Sequence, residues 1–304
     1  MADVVVDFLM KQKSSNGTYT ILHPITKTAN VKTSENISVM LKSNLGSLTN
    51  GYTIPAGTSI DTIIKQMVQV QIPPTYSAPT LTLKATGATA GSYEEGTEVT
   101  PTLTSTFVKN DAGALTAIVI KKNNVEVASS TTSPATHTET ITVSGTITYS
   151  STATYGEGAI KNDNFNQPYS TGHIEAGSKS SSEIKYTSYR KYFYGADNVT
   201  TAATTSDNVR GFVNSSSSGA SAGTTFNVSV TKGQTRATFA YPATLRDVSS
   251  VKYVEFNNDE SKTFFNKTTV QVKGANDYTA IDYKVYTYIP DQPFPSNMTF
   301  AVTI

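Results

Sequence analysis

The feature that most constrains this chain is a series of short β-type runs, each closed by a turn signal, that starts at Thr80. Residues 80–86, 98–106, 115–122, 125–129, 138–144 and 146–155 are rich in Thr, Val, Ile and Tyr. These side chains suit a pleated, half-buried surface. Gly87, Glu95-Gly96, Asp111-Ala112-Gly113, Asn123-Asn124 and Ser133-Pro134 punctuate them, because Gly, Asn, Asp and Pro reach the backbone conformations of tight turns. Thr138-Glu139-Thr140-Ile141-Thr142-Val143 alternates almost without fault, as a strand with one buried face does.

That spacing predicts an immunoglobulin-like β-sandwich over residues 76–158. After Gly156, Asn, Gly, Ser and Tyr become more frequent and the loops lengthen. Clean β-type runs return at 225–230, 235–241, 251–256, 268–273, 280–289 and 298–304, with Lys232-Gly233 read as a hairpin turn. Residues 159–304 are therefore expected to form a second sandwich with long loops, and 206–212 to contribute one helical turn. Residues 1–75 read as a smaller α+β docking unit. Asn16-Gly17 joins two strand-like runs, 4–11 and 18–22, and Asn50-Gly51 marks another turn. Ile60, Ile63, Ile64, Met67 and Val68 form one apolar helical stripe, with Thr58 or Ser59 as cap and Asp61 in the first turn. The helix must end before Pro73-Pro74, where residues 71–79 read as a stiff linker. Residues 34–45 predict a second helix. The expected class is mainly β: a docking unit, then two sandwiches.

Catalysis has little to work with. The chain has no Cys and only three His, at 23, 137 and 173, in separate segments. That excludes thiol chemistry and disulfides, and gives no zinc-ligand spacing. Glu94-Glu95 and Asp259-Glu260 are neighbours in sequence, not the opposed pair of a glycosidase. Asn162-Asp163-Asn164 lacks the Gly and distal Glu of a calcium loop. No cofactor, no metal and no enzymatic activity are expected. The net charge of +1 and the absence of a basic stripe argue against nucleic acid. No run is long enough to span a membrane, and the first ten residues have no signal-peptide pattern. Tyr189, Tyr192 and Tyr194 are the candidate binding residues. Their rings would stack on a glycan, with Asn162, Asp163, Asn164, Asp197 and Asn198 nearby, or would serve as core and subunit contact. Tyr283, Tyr286 and Tyr288 carry the same two readings.

Residues 52–60, Tyr-Thr-Ile-Pro-Ala-Gly-Thr-Ser-Ile, followed by Ile72-Pro73-Pro74-Thr75-Tyr76, resemble a phrase of tailed-bacteriophage virion structural proteins. Residues 108–116 with Lys121-Lys122-Asn123 are similar to their immunoglobulin-like module. Residues 174–178, 189–195 and 282–290 also look like this group. The resemblance implies a head fibre, head appendage, neck, tail or baseplate component, made in the host cytoplasm and residing in the virion. Its expected partners are itself, as a trimer or another symmetric oligomer, and other virion proteins. The alternatives are an adhesin that recognises host surface glycan and a capsular depolymerase.

Overall fold

The structure is a computed structural model that describes residues 10–13, 19–22, 32–38, 45–256 and 259–304. It is mainly β and divides into two compact units: residues 1–77 with 158–175, and residues 78–157 with 176–304. The expected boundary at 159 thus lies inside the chain's excursion back to the first unit.

In the first unit, Met10–Lys13 pairs antiparallel with Tyr19–Leu22. The Asn16-Gly17 turn lies outside the described residues. Ile37–Ser38 pairs with Thr53–Ile54, so residues 37–38, expected in a helix, are strand; residues 39–44 lie outside the described residues. Helix α1 spans Ile60–Val68. The Ser59 hydroxyl accepts from the Thr62 N–H at 3.2 Å, satisfying one orphan donor of the first turn. Lys65 pairs with Asp61 at 2.8 Å, one turn away. Gly46, at φ +61°, lets the preceding turn touch the helix: a Cβ there would lie 2.2 Å from the Gln66 carbonyl. Ser47 N–H and Oγ both donate to that carbonyl, at 2.8 and 3.1 Å.

The second unit contains two sandwich-like bodies. In the first, Thr102–Val108 lies between Ala135–Thr138 and Thr80–Thr86 in a three-stranded sheet. Thr146–Tyr155 pairs with Leu115–Lys122, Gly177–Ser180 and Ile184–Tyr189 in a six-stranded sheet. Leu81, Leu83, Leu103 and Phe107 from one sheet pack on Ile118, Ile120, Tyr149 and Tyr186 from the other. The strands at 177–180 and 184–189, expected in the C-terminal sandwich, complete this body instead. Ile184–Tyr189 also pairs in parallel with Gly91–Glu94. The alternating run at 138–143 is broken. Ala135–Thr138 stays in the three-stranded sheet, while Ile141–Thr142 pairs with Glu98–Val99. Glu139 sits at the switch, its carboxylate held by Lys122 and by the Tyr149 hydroxyl at 2.7 Å each.

The second body is layered on a five-stranded sheet. Its strands run in the order Asn214–Ser215, Phe193–Asp197, Arg236–Pro242, Ile281–Tyr288 and Asn266–Val272. Every residue of the Arg236–Pro242 strand is buried, as expected of a strand covered on both faces. Phe239, Tyr241 and Tyr286 face a four-stranded sheet that supplies Phe226, Val228, Phe300 and Val302. On the other side Phe193, Ala240, Tyr283 and Val285 pack on Ala203, Val209 and Phe212. Val209 belongs to α2, Ser206–Arg210, within the segment where a helical turn was expected. The expected hairpin around Lys232-Gly233 is not one. Thr225–Val230 pairs with Met298–Thr303 and Arg236–Pro242 with Ile281–Tyr288, so this turn carries the chain from one sheet to the other.

Only three residues separate Ile184–Tyr189 from Phe193–Asp197, and the joint between the two bodies is tight. Arg190 donates to Glu95 and to the Thr279 carbonyl, both at 2.6 Å. Glu94 takes Arg210 at 2.5 Å and Lys191 at 3.2 Å. Burial pushes the Glu94 carboxyl up, but the hydrogen bonds and charges of Arg210 and Lys191 outweigh it and hold it below its usual 4.5. A Cβ on Gly96 would lie 2.3 Å from Tyr278 Cβ, and one on Gly274 would lie 2.2 Å from the Glu95 carbonyl.

Candidate functional site

Helix α1 buries Gln66 and leaves most of its apolar stripe in water. Gln66 is 4% exposed, whereas Ile60 is 38%, Ile64 49%, Met67 39% and Val68 73% exposed. At 100° per residue these four fall on one side and Gln66 on the opposite one. Val70 and Ile72, just past the helix, are 73% and 64% exposed. The sequence predicts this stripe correctly as one face. It cannot say that Gln66 turns inward while the stripe, apart from half-buried Ile63, stays open to water. Scattered exposed aliphatics are normal, but a continuous apolar face is the signature of a contact surface.

The candidate tyrosines fall into two groups. Tyr189 ends the Ile184–Tyr189 strand of the first body, whereas Tyr194 lies in the Phe193–Asp197 strand of the second. Tyr192 and Tyr194 stack on each other at 5.9 Å and meet Phe226 at a tilt, at 4.9 and 5.0 Å. They are half-buried at the margin of the core that contains Phe239. Burial first, and Tyr194 second, raise the Tyr192 hydroxyl. Of the other run, Tyr283 and Tyr286 are core residues, and only Tyr288 is partly open.

The two acidic partners proposed for a glycan are also occupied. Asp163 Oδ1 accepts from the Phe165 and Gln167 N–H groups at 2.8 and 2.9 Å, and Oδ2 from Gln71 at 2.6 Å. Asp197 holds Arg236, which is 5% exposed, through Nε at 2.9 Å and Nη2 at 2.5 Å. Among the described residues no group of three or more acidic, His or Cys side chains is placed to hold a metal ion. His23 lies outside the described residues. His137 Nε2 is 3.4 Å from Glu139 Oε1, and His173 Nδ1 is 2.8 Å from the Ser170 carbonyl.

The residues that sequence reasoning missed are Glu94 and Glu95. Neighbouring carboxylates before a Gly read as solvated turn residues. Their cations arrive from 95 to 116 positions away, and no local pattern announces them. Among the described residues no helix is long and apolar enough to cross a membrane. Comparison with protein-family models, with curated proteins and with solved structures gives no match to this chain.

Proposed function

We propose that this chain is a non-enzymatic structural component of a tailed-bacteriophage virion, which assembles through its first unit and presents immunoglobulin-like sandwiches. The observation that carries the reading is the exposed apolar stripe of helix α1. A buried glutamine beneath an apolar outer face is poor design for a free-standing helix and good design for a docking one. Full burial of the exposed parts of Ile60, Ile64, Met67, Val68, Val70 and Ile72 is worth on the order of 6 kcal/mol, before the cost of association. The joint of the second unit supports the same reading, since a protein that holds position in a particle benefits from bodies that do not swing. The virion assignment itself rests on the resemblance of residues 52–60, 72–76 and 108–116 to phage structural proteins. Immunogold labelling of purified phage particles with antibodies to this chain tests it. Labelling at one fixed position on the particle is expected, and particles free of the chain refute the assignment.

A further inference from the structure

The second unit carries an aromatic cleft of about 270 Å³ that the assembly reading does not use. Two ring pairs stand in its lining. Tyr253 and Phe256 lie 4.4 Å apart between centroids, and Phe264 stacks on Tyr288 at 5.4 Å. Phe294 and Phe300 complete it and meet Tyr288 edge-on at 5.5 and 6.1 Å. The last two are 3% and 1% exposed, but Phe256 and Phe264 stand 59% and 51% in water.

We propose that this cleft is a cage for a methylated ammonium group, of the kind borne by choline or trimethyl-lysine. Ring faces are electronegative and attract a cation held over them, and methyl groups on the nitrogen add apolar contact while weakening its hydration. A sugar is the weaker fit, because the Tyr253 and Tyr288 hydroxyls are the only side-chain hydrogen-bonding groups in a lining of six rings, two prolines and a methionine. The segments that supply the lining carry a small acidic excess, with Glu255, Glu260 and Asp291 against Lys252 and Lys262. Glu255 Oε2 is pinned by the Thr299 N–H at 2.7 Å, between Met298 and Phe300. Asp291 is felt at the cleft itself: burial raises the Tyr288 hydroxyl first, and the Asp291 charge adds to it.

The cleft lies on elements remote in sequence from α1, so it stands or falls independently of the assembly reading. The test titrates the full chain with choline and with its neutral isostere 3,3-dimethyl-1-butanol, using ligand-observed NMR. Choline is expected to bind at least about tenfold more tightly, the size of a desolvated cation–π contribution. Phe256→Ala should weaken choline by about tenfold with the urea midpoint unchanged, and Asp291→Asn should weaken choline by a few-fold and leave the alcohol alone. Phosphocholine and trimethyl-lysine amide in the same titration separate a head group from a modified protein as the source; tighter binding of either supports the cage. Equal binding of choline and the alcohol would mean a merely apolar cleft and would overturn the proposal. So would the absence of choline binding at about 50 mM, too weak for any cage of this kind.

Discussion

Val68→Lys separates the two roles of helix α1. Val68 is the last residue of the helix and 73% exposed. In the free chain the substitution removes little packing. It replaces a poor helix former with a good one and puts a cation at the negative end of the dipole. Folding stability should therefore stay the same or rise by up to about 0.5 kcal/mol. In an assembly through this face the opposite holds. Burying a whole valine is worth about 1.5–3 kcal/mol, and some three-quarters of that is still to be gained at Val68. An unpaired ammonium in the same place adds several kcal/mol of desolvation. The combined loss of at least about 3 kcal/mol weakens association more than 100-fold. Sedimentation velocity over a concentration series reads the association, and urea denaturation reads the folding. An association constant within about threefold of the parent would refute the reasoning. A drop in urea midpoint would too, because it would mean that the stripe already packs inside the chain.

Three further outcomes follow from the packing. Ser105 and Ser151 are 0% and 1% exposed and share a 2.8 Å hydrogen bond in the core of the first body. Ser151→Ala alone should cost about 1–3 kcal/mol in urea denaturation, and the double change Ser105→Ala/Ser151→Ala less than the sum of the two single ones. Among the described residues Gln66 Oε1 is buried without a partner, so Gln66→Leu should be neutral or stabilising by about 1 kcal/mol; a clear loss of melting temperature would show that the amide is needed. Glu94 has a folded pKa below its unfolded value. Its contribution is thus fully present above the unfolded carboxylate pKa and is lost as pH falls from there through the folded one. In Glu94→Gln the urea midpoint should fall less steeply below pH 4.5 than in the parent, and parallel acid limbs would count against the joint's role.

What could be read from the sequence was local. The cap at Ser59, the end of α1 before Pro73-Pro74 and most strands after Thr80 follow from side-chain period and turn chemistry, which neighbours enforce. Partnership was not legible. Thr225–Val230 and Arg236–Pro242 have the pattern of a hairpin, yet each finds its mate some 40 to 80 residues away. The alternation at 138–143 shows two faces but not that the chain changes sheets at Glu139, a switch held by Lys122 and Tyr149. At the candidate site the same limit applied. Helical period placed Ile60, Ile64, Met67 and Val68 on one side, and only the folded chain shows that Gln66 is the residue turned inward. Tyr288 was singled out for its ring, but its cleft is built by Tyr253, Phe256 and Phe264 from other segments.

The joint also has an evolutionary consequence. Proteins built of sandwiches commonly diversify by exchanging whole modules across a linker, because a linker imposes no shape on its neighbours. Here the exchange point is closed. Gly96 and Gly274 are cut to fit Tyr278 and Glu95 across the boundary, and Arg190 belongs to both bodies at once. A recombinant that swapped one body alone would meet backbone clashes and leave Glu94 and Glu95 without their cations. Innovation in this lineage should therefore move the two bodies as a single cassette, with novelty confined to loops away from the seam.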